Sequence, residues 1–308
     1  MKPRFILILF IFGMLGVLVV CTREPRYHGK TLTSWLQQCD DTPLSEHQRR
    51  QEAQEAVRAI GAKKALPKLF NLIEAKNDPV SLWLIDKTGE FRIRFLRWNS
   101  SENYSFEDYE RVQWHSAEDF QRLGIAGFEI LGTNAAPAVE ELGKLLNEKN
   151  HAVIAEQCLE LVGKPAESVL CGALTNDNAI IRQRAIDALA SVTDDVEVYI
   201  ARIKPLLKDP SDAVRNTVIN DIGIQTSAPE LAVPILIGAL NDSSVSANAA
   251  SALANFGTNA LVAFPMLTNL VSGGSNAASA AMRTLIIIAP DAAFGVIIID
   301  CRRLVDPH

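Results

Sequence analysis

The sequence is poor in the residues from which most active sites are assembled. Its five histidines, His28, His47, His115, His151 and His308, stand neither at helical ligand spacing from one another nor beside a paired carboxylate, so no metal centre is expected. The five cysteines, Cys21, Cys39, Cys158, Cys171 and Cys301, include no Cys-x-x-Cys pair, which argues against a zinc ribbon or a redox motif. Cys158 and Cys171 lie among apolar neighbours and are expected to be small buried side chains. There is no Gly-x-Ser-x-Gly elbow, P-loop or dinucleotide fingerprint. The adjacent acids Glu140-Glu141 and Asp194-Asp195 would point apart on a helix. No catalytic, metal-binding or cofactor-binding residue is therefore assigned, no cofactor is expected, and the chain is expected to have no catalysis of its own. Basic charge is also scarce. A net charge of −6, with no Lys/Arg-rich block in the mature part, excludes nucleic acid as the expected partner.

What is abundant is aliphatic. Hydrophobic residues make up 48% of the 308 and aromatics only 6%, and the wealth of Ala, Leu and Ile favours helix. From about Ala135 one pattern recurs. Pro137-Ala138-Val139 through Leu145-Leu146-Asn147 is echoed by Pro165-Ala166 through Ala173-Leu174-Thr175-Asn176. Further echoes close at Lys204-Pro205-Leu206-Leu207-Lys208-Asp209, at Ile237-Gly238-Ala239-Leu240-Asn241-Asp242 and at Met266-Leu267-Thr268-Asn269-Leu270. The closing leucines Leu146, Leu174, Leu207, Leu240 and Leu270 step by 28, 33, 33 and 30 residues, the mark of a stacked supersecondary unit. Each period holds two helical patterns. In the first, an early Asp such as Asp209 can cap free N–H groups, and Val214, Val218 and Ile222 share a face. The second presents Leu231, Val233, Ile235, Leu236 and Leu240.

This pattern resembles the HEAT repeat, in particular the bacterial HEAT-like group named after phycobilin lyases. The residues that carry the likeness are Asp177 with Ile181-Arg182, Asp209 with Val214-Arg215, and the corners Leu131-Gly132-Thr133-Asn134-Ala135 and Ile60-Gly61-Ala62-Lys63-Lys64-Ala65. The resemblance implies a polar ladder between neighbouring repeats built from Asp177, Arg182, Asp209 and Arg215. It should be partial, because Asp242 is kept while Ser246 and Ala247 stand where the apolar residue and Arg are due. The segment Tyr27-His28-Gly29-Lys30-Thr31-Leu32-Thr33-Ser34-Trp35-Leu36 is similar to the opening of bacterial HEAT proteins that carry an export signal. Trp35 and Leu36 are expected to cap the open end of the first hairpin, since a terminal repeat must hide its apolar edge.

Two segments stand outside the period. Phe5 to Val20 is uninterruptedly apolar behind Lys2 and Arg4, which reads as a cleaved signal, a retained membrane anchor, or a lipoprotein signal with Cys21 as the acylated residue. Leu18-Val19-Val20-Cys21 resembles a lipobox, although Val20 departs from the small residue expected there. From Asp78 to His115 the chain is rich in aromatics and Arg. Trp83, Arg92, Arg94, Trp98, Tyr104, Tyr109 and Trp114 could meet a partner, as such residues do at interface hot spots, or fold back as a small local core.

The expected architecture is all-α, an α-solenoid of about six to seven HEAT-like helical hairpins with an irregular aromatic insertion near the N-terminus. Residues 1–22 form the signal or anchor, 23–44 a linker and cap, and 45–308 the repeat body with its insertion at 78–115. The expected function is a protein-interaction scaffold tethered at a membrane, its body outside the cytoplasm and its partner another protein. The alternative is a lyase-like or cofactor-handling enzyme or subunit built on the same repeats.

Overall fold

The computed structural model describes residues 24–41, 47–76, 117–274 and 276–292. Among them the protein is all-α apart from one short ribbon, with successive helices paired into stacked hairpins as in a solenoid. Compact packing yields two units. One runs to Leu142 and includes Glu148–Val162; the other comprises Gly143–Asn147 and everything from Gly163 onward.

The first unit opens on β1 (Arg26–Tyr27) and β2 (Lys30–Thr31), an antiparallel pair. The chain then enters α1 (Leu32–Asp41), whose Leu32, Trp35, Leu36 and Cys39 are buried against α2 (His47–Ile60) and α4 (Ala117–Leu131). The spacing of these residues, three, one and three, puts them on one helical face. A carboxylate of Glu24 accepts the Thr33 N–H at 2.6 Å, satisfying a donor of the first turn of α1.

In α2 the stripe is Ala53, Ala56, Val57 and Ile60, and in α3 (Ala62–Ile73) it is Ala65, Leu66, Leu69, Leu72 and Ile73. Close approach of α4 to α3 depends on two glycines. A Cβ on Gly124 would lie 2.6 Å from Ile73 Cγ2, and one on Gly127 would lie 2.3 Å from Leu69 Cδ2. Phe128 of α4 meets Phe70 edge to face at 5.9 Å, completing this layer. A 3-10 turn (Gly132–Ala138) leads to α5 (Val139–Leu145), and α6 (Ala152–Val162) then packs on α4.

In the second unit the helices alternate between two layers. The first helices of successive hairpins, α8 (Ala179–Val192), α10 (Asp212–Ile224), α12 (Ser246–Leu253) and α14 (Ala278–Ile288), stack each on the next. The second layer holds α7 (Glu167–Ala173), α9 (Val196–Ile203) with the 3-10 turn Lys204–Lys208, α11 (Pro229–Ala239) and α13 (Phe264–Ser272). Val214, Val218 and Ile222 are fully buried, as their shared face requires. In α11 the buried residues are Ala232, Val233 and Leu236, and Leu240 just past its end is buried too; Leu231 points outward, because four-residue steps back from Leu240 reach Leu236 and Ala232 and leave position 231 on the rim.

The corners share one device. Gly61, Gly132, Gly163 and Gly257 all have positive φ, between 49° and 79°, and each is followed three or four residues on by a fully buried alanine. The sharp exit from the first helix needs a left-handed residue and the second helix needs a small one against the first. Residues 246–272 are long and apolar enough to cross a membrane by length and composition alone, yet Gly257 (φ 52°, ψ −129°) breaks the backbone there. The stretch is a bent pair of helices within the stack.

Candidate functional site

Side-chain chemistry in the second unit concentrates at the edge where one hairpin meets the next. Asp209 accepts two bonds from Arg182, at 2.8 Å from Nε and 2.6 Å from Nη2, while a further Arg182 N–H reaches the Asn176 carbonyl at 2.7 Å and the Asp177 carbonyl at 3.1 Å. One period on, Arg215 donates to Asp242 at 2.9 Å and to the Asp209 carbonyl at 2.7 Å. Each acid also builds the turn before its helix. Asp209 accepts the Ser211 N–H at 2.8 Å and Asp242 the Ser244 N–H at 3.0 Å.

The position equivalent to Asp209 and Asp242 is Asn176. It makes the same side-chain turn to the Asn178 N–H at 2.9 Å, and its carbonyl is taken by an Arg six residues later. Asp177, the acid read from the sequence, contributes its carbonyl instead. The residue six beyond Asp242 is Asn248, which bonds Asn216 across the hairpins at 2.6 Å. Hence the repeat register runs one residue away from Ser246 and Ala247. The ladder fades in charge at both ends, through Asn176, which donates to Asn147 at 2.7 Å, and through Asn248.

Electrostatics follow exposure. Burial alone would raise the Asp209 carboxyl, but the Arg182 hydrogen bonds, the Ser211 N–H and the charges of Arg182 and Arg215 outweigh it and hold it below the usual range. Hydrogen bonds from Ser244, with help from Arg215, do the same for the more exposed Asp242. Elsewhere Arg202 donates to Glu167, and this bond, ahead of weaker contributions from Thr193 and Lys164, lowers the Glu167 carboxyl. Tyr199 is buried and its hydroxyl donates to Asp221. Burial raises the Asp221 carboxyl despite that bond.

Beside the ladder an open groove of about 410 Å³ runs between the Lys204–Lys208 turn and α11. Lys204, Leu207 and Lys208 form one wall, and Pro234, Ile235, Gly238 and Ala239 the other, with Asp242 and Val245 at one end. Neither lysine ammonium has a hydrogen bond or ion pair among the described residues. A Cβ on Gly238 would meet nothing within 4 Å. The sequence holds these residues only as echoes of a repeat; the signal that could have found the groove is the pair Lys204 and Lys208 flanking the closing Leu206-Leu207.

At the N-terminus, Trp35 and Leu36 are buried in α1. The Trp35 indole donates to the Tyr27 carbonyl at 3.0 Å, and the Lys30 ammonium lies 4.2 Å from the ring centre. Cys158 is fully buried and burial pushes its thiol up to about 12, whereas Cys171 is half-buried. Cys21 and the insertion residues Trp83, Arg92, Arg94, Trp98, Tyr104, Tyr109 and Trp114 lie outside the described residues. Among the described residues no three His, Cys, Asp or Glu side chains are grouped to hold a metal ion.

No protein-family model matches the chain, and no curated protein matches it. Among solved structures it is similar to human deoxyhypusine hydroxylase in complex with glycerol, at 17% identity over 84% of this chain and 96% of that one, with a TM-score of 0.34. It is also similar to an engineered protein, at 19% identity over 87% of this chain and 71% of that one, again with a TM-score of 0.34. The first of the two is an enzyme, which stands against the expectation of no catalysis. That expectation rested on absent fingerprints, and these exclude only the chemistries they mark.

Proposed function

We propose that this chain is a HEAT-type repeat protein that binds another protein through the second helical layer of its second unit, and that its N-terminal apolar segment holds it at a membrane. The single observation behind the binding surface is the groove beside Gly238, which combines an apolar lining with two lysines uncommitted within the described structure. Apolar concavities with a few polar groups at the rim are where helical repeats take peptides and helices. Membrane attachment is supported by the uninterrupted apolar run Phe5 to Val20 behind Lys2 and Arg4. The aromatic insertion, with Trp83, Arg92, Arg94, Trp98, Tyr104, Tyr109 and Trp114, is proposed as a second contact with the partner on composition alone.

The test places a photo-crosslinking amino acid at Gly238 and, as a control, at exposed Ile180, in full-length protein within native membranes. A reproducible adduct from position 238 that is missing from 180, and that weakens when Asp78 to His115 is replaced by a short linker, supports the reading. Equal adducts, or none at 238, would refute the groove as the binding surface. Recovery of the full chain in the soluble fraction without membrane disruption would refute the attachment.

A further inference from the structure

The charge around the groove is opposite in sign to that of the chain. The protein carries a net −6, yet the groove's uncommitted charges, Lys204 and Lys208, are both positive. Its one carboxylate, Asp242, is held by Arg215 at 2.9 Å and by the Ser244 hydroxyl at 2.7 Å, which offsets part of its charge. The lining also includes apolar Pro234, Ile235 and Val245, and the bare backbone of Gly238 leaves space for a side chain beside them. A cavity of about 410 Å³ is within the range, roughly 300–1,000 Å³, in which proteins bind drug-sized groups, which is space for one or two large side chains.

We infer that the groove receives an acidic amphipathic segment of a partner protein, seating one large apolar side chain over Gly238 and setting flanking carboxylates against Lys204 and Lys208. This rests on the protein-binding reading above and adds the chemistry that selects the partner. Apolar burial supplies affinity, and the two lysines reject basic segments by like-charge contact while accepting acidic ones. Because both lysines are exposed, their contribution is screened by salt.

The probes are two fluorescein-labelled peptides of about twelve residues, one with Leu and Phe at helical spacing among Glu residues, the other identical but with Lys for every Glu. They are titrated by anisotropy against full-length protein in detergent and against the variants Lys204→Glu/Lys208→Glu and Gly238→Trp. The acidic peptide is expected to bind and the basic one not. The double reversal should weaken acidic binding at least about tenfold and admit the basic peptide. Gly238→Trp should abolish binding with unchanged far-UV circular dichroism, since a Cβ there meets nothing within 4 Å and the ring can extend into the groove. Raising NaCl from about 50 to about 300 mM should weaken the acidic complex. Equal binding of the two peptides, or acidic binding unaffected by the double reversal, would overturn the inference. An acidic peptide that fails to bind while the Gly238 photo-adduct persists removes the acidic preference and leaves the protein-binding reading standing. Loss of both removes both.

Discussion

Replacing Arg182 with Met should be among the most damaging single changes in the second unit. Its side chain is 9% exposed and that of Asp209 3%, so the substitution leaves a carboxylate in the interior with only the Ser211 N–H, and strips the Asn176 and Asp177 carbonyls of a donor. Removing one partner of a buried pair costs about 3 kcal/mol or more, chiefly because the other charge remains desolvated. Arg215→Met exposes the comparison. Its partner Asp242 is 38% exposed and can recruit water, so about 1 kcal/mol is expected. The double change Arg182→Met/Asp209→Asn should recover at least half of the loss, because it removes the orphaned charge and keeps the turn, as Asn176 does in the preceding repeat.

The assay is urea unfolding followed by far-UV circular dichroism, repeated across pH. Asp209 has a folded pKa below its unfolded value, so its contribution is fully present above about pH 4 and is lost as pH falls through the lower folded value. In Arg182→Met the same carboxyl is buried without its cation and prefers to be neutral. The penalty should therefore shrink on acidification toward about pH 4. Equal costs for Arg182→Met and Arg215→Met, or no recovery in the double variant, would refute the claim that exposure decides the strength of each rung.

Three further outcomes are expected. Gly124→Ala should destabilise by about 1–2 kcal/mol because its Cβ meets Ile73, whereas Gly238→Ala, in open space, should stabilise by about 0.5–1 kcal/mol through helix propensity; thermal melts of the two separate packing from propensity. In a Cys21→Ser/Cys301→Ser background, maleimide at pH 8 should label Cys171 well before Cys39 or Cys158, whose burial raises their thiols, and mass spectrometry of timed digests reads the order. Asp221→Asn should stabilise the protein at neutral pH and lose that advantage near pH 4, since a carboxyl with a raised folded pKa contributes stability below its unfolded value that is lost as pH climbs through the folded one. Urea midpoints at both pH values provide the check.

The helical architecture and its period were legible in the sequence because a repeat writes the same physical constraint several times. Leucines at steps of 28 to 33 residues, apolar positions three and four apart, and corner glycines such as Gly132 and Gly61 each state a local requirement that needs no knowledge of distant residues. The burial of Trp35 and Leu36 was legible for a similar reason, since large apolar side chains at helical spacing share a face. The pairing of Arg182 with Asp209 was implied by the likeness to a family, but its register was not. Whether Asn176 or Asp177 occupies the turn depends on which carbonyl the incoming guanidinium meets, and that is set by how two helices stack. The groove belongs wholly to tertiary structure. Lys204 and Gly238 are 34 residues apart, and only the spacing of the turn from α11 places two lysines opposite bare backbone and pairs Asp242 away with Arg215. Periodicity determines which face of each helix is buried; the gap between neighbouring helices, and what is left open in it, is decided by the packing of side chains that the period alone does not size.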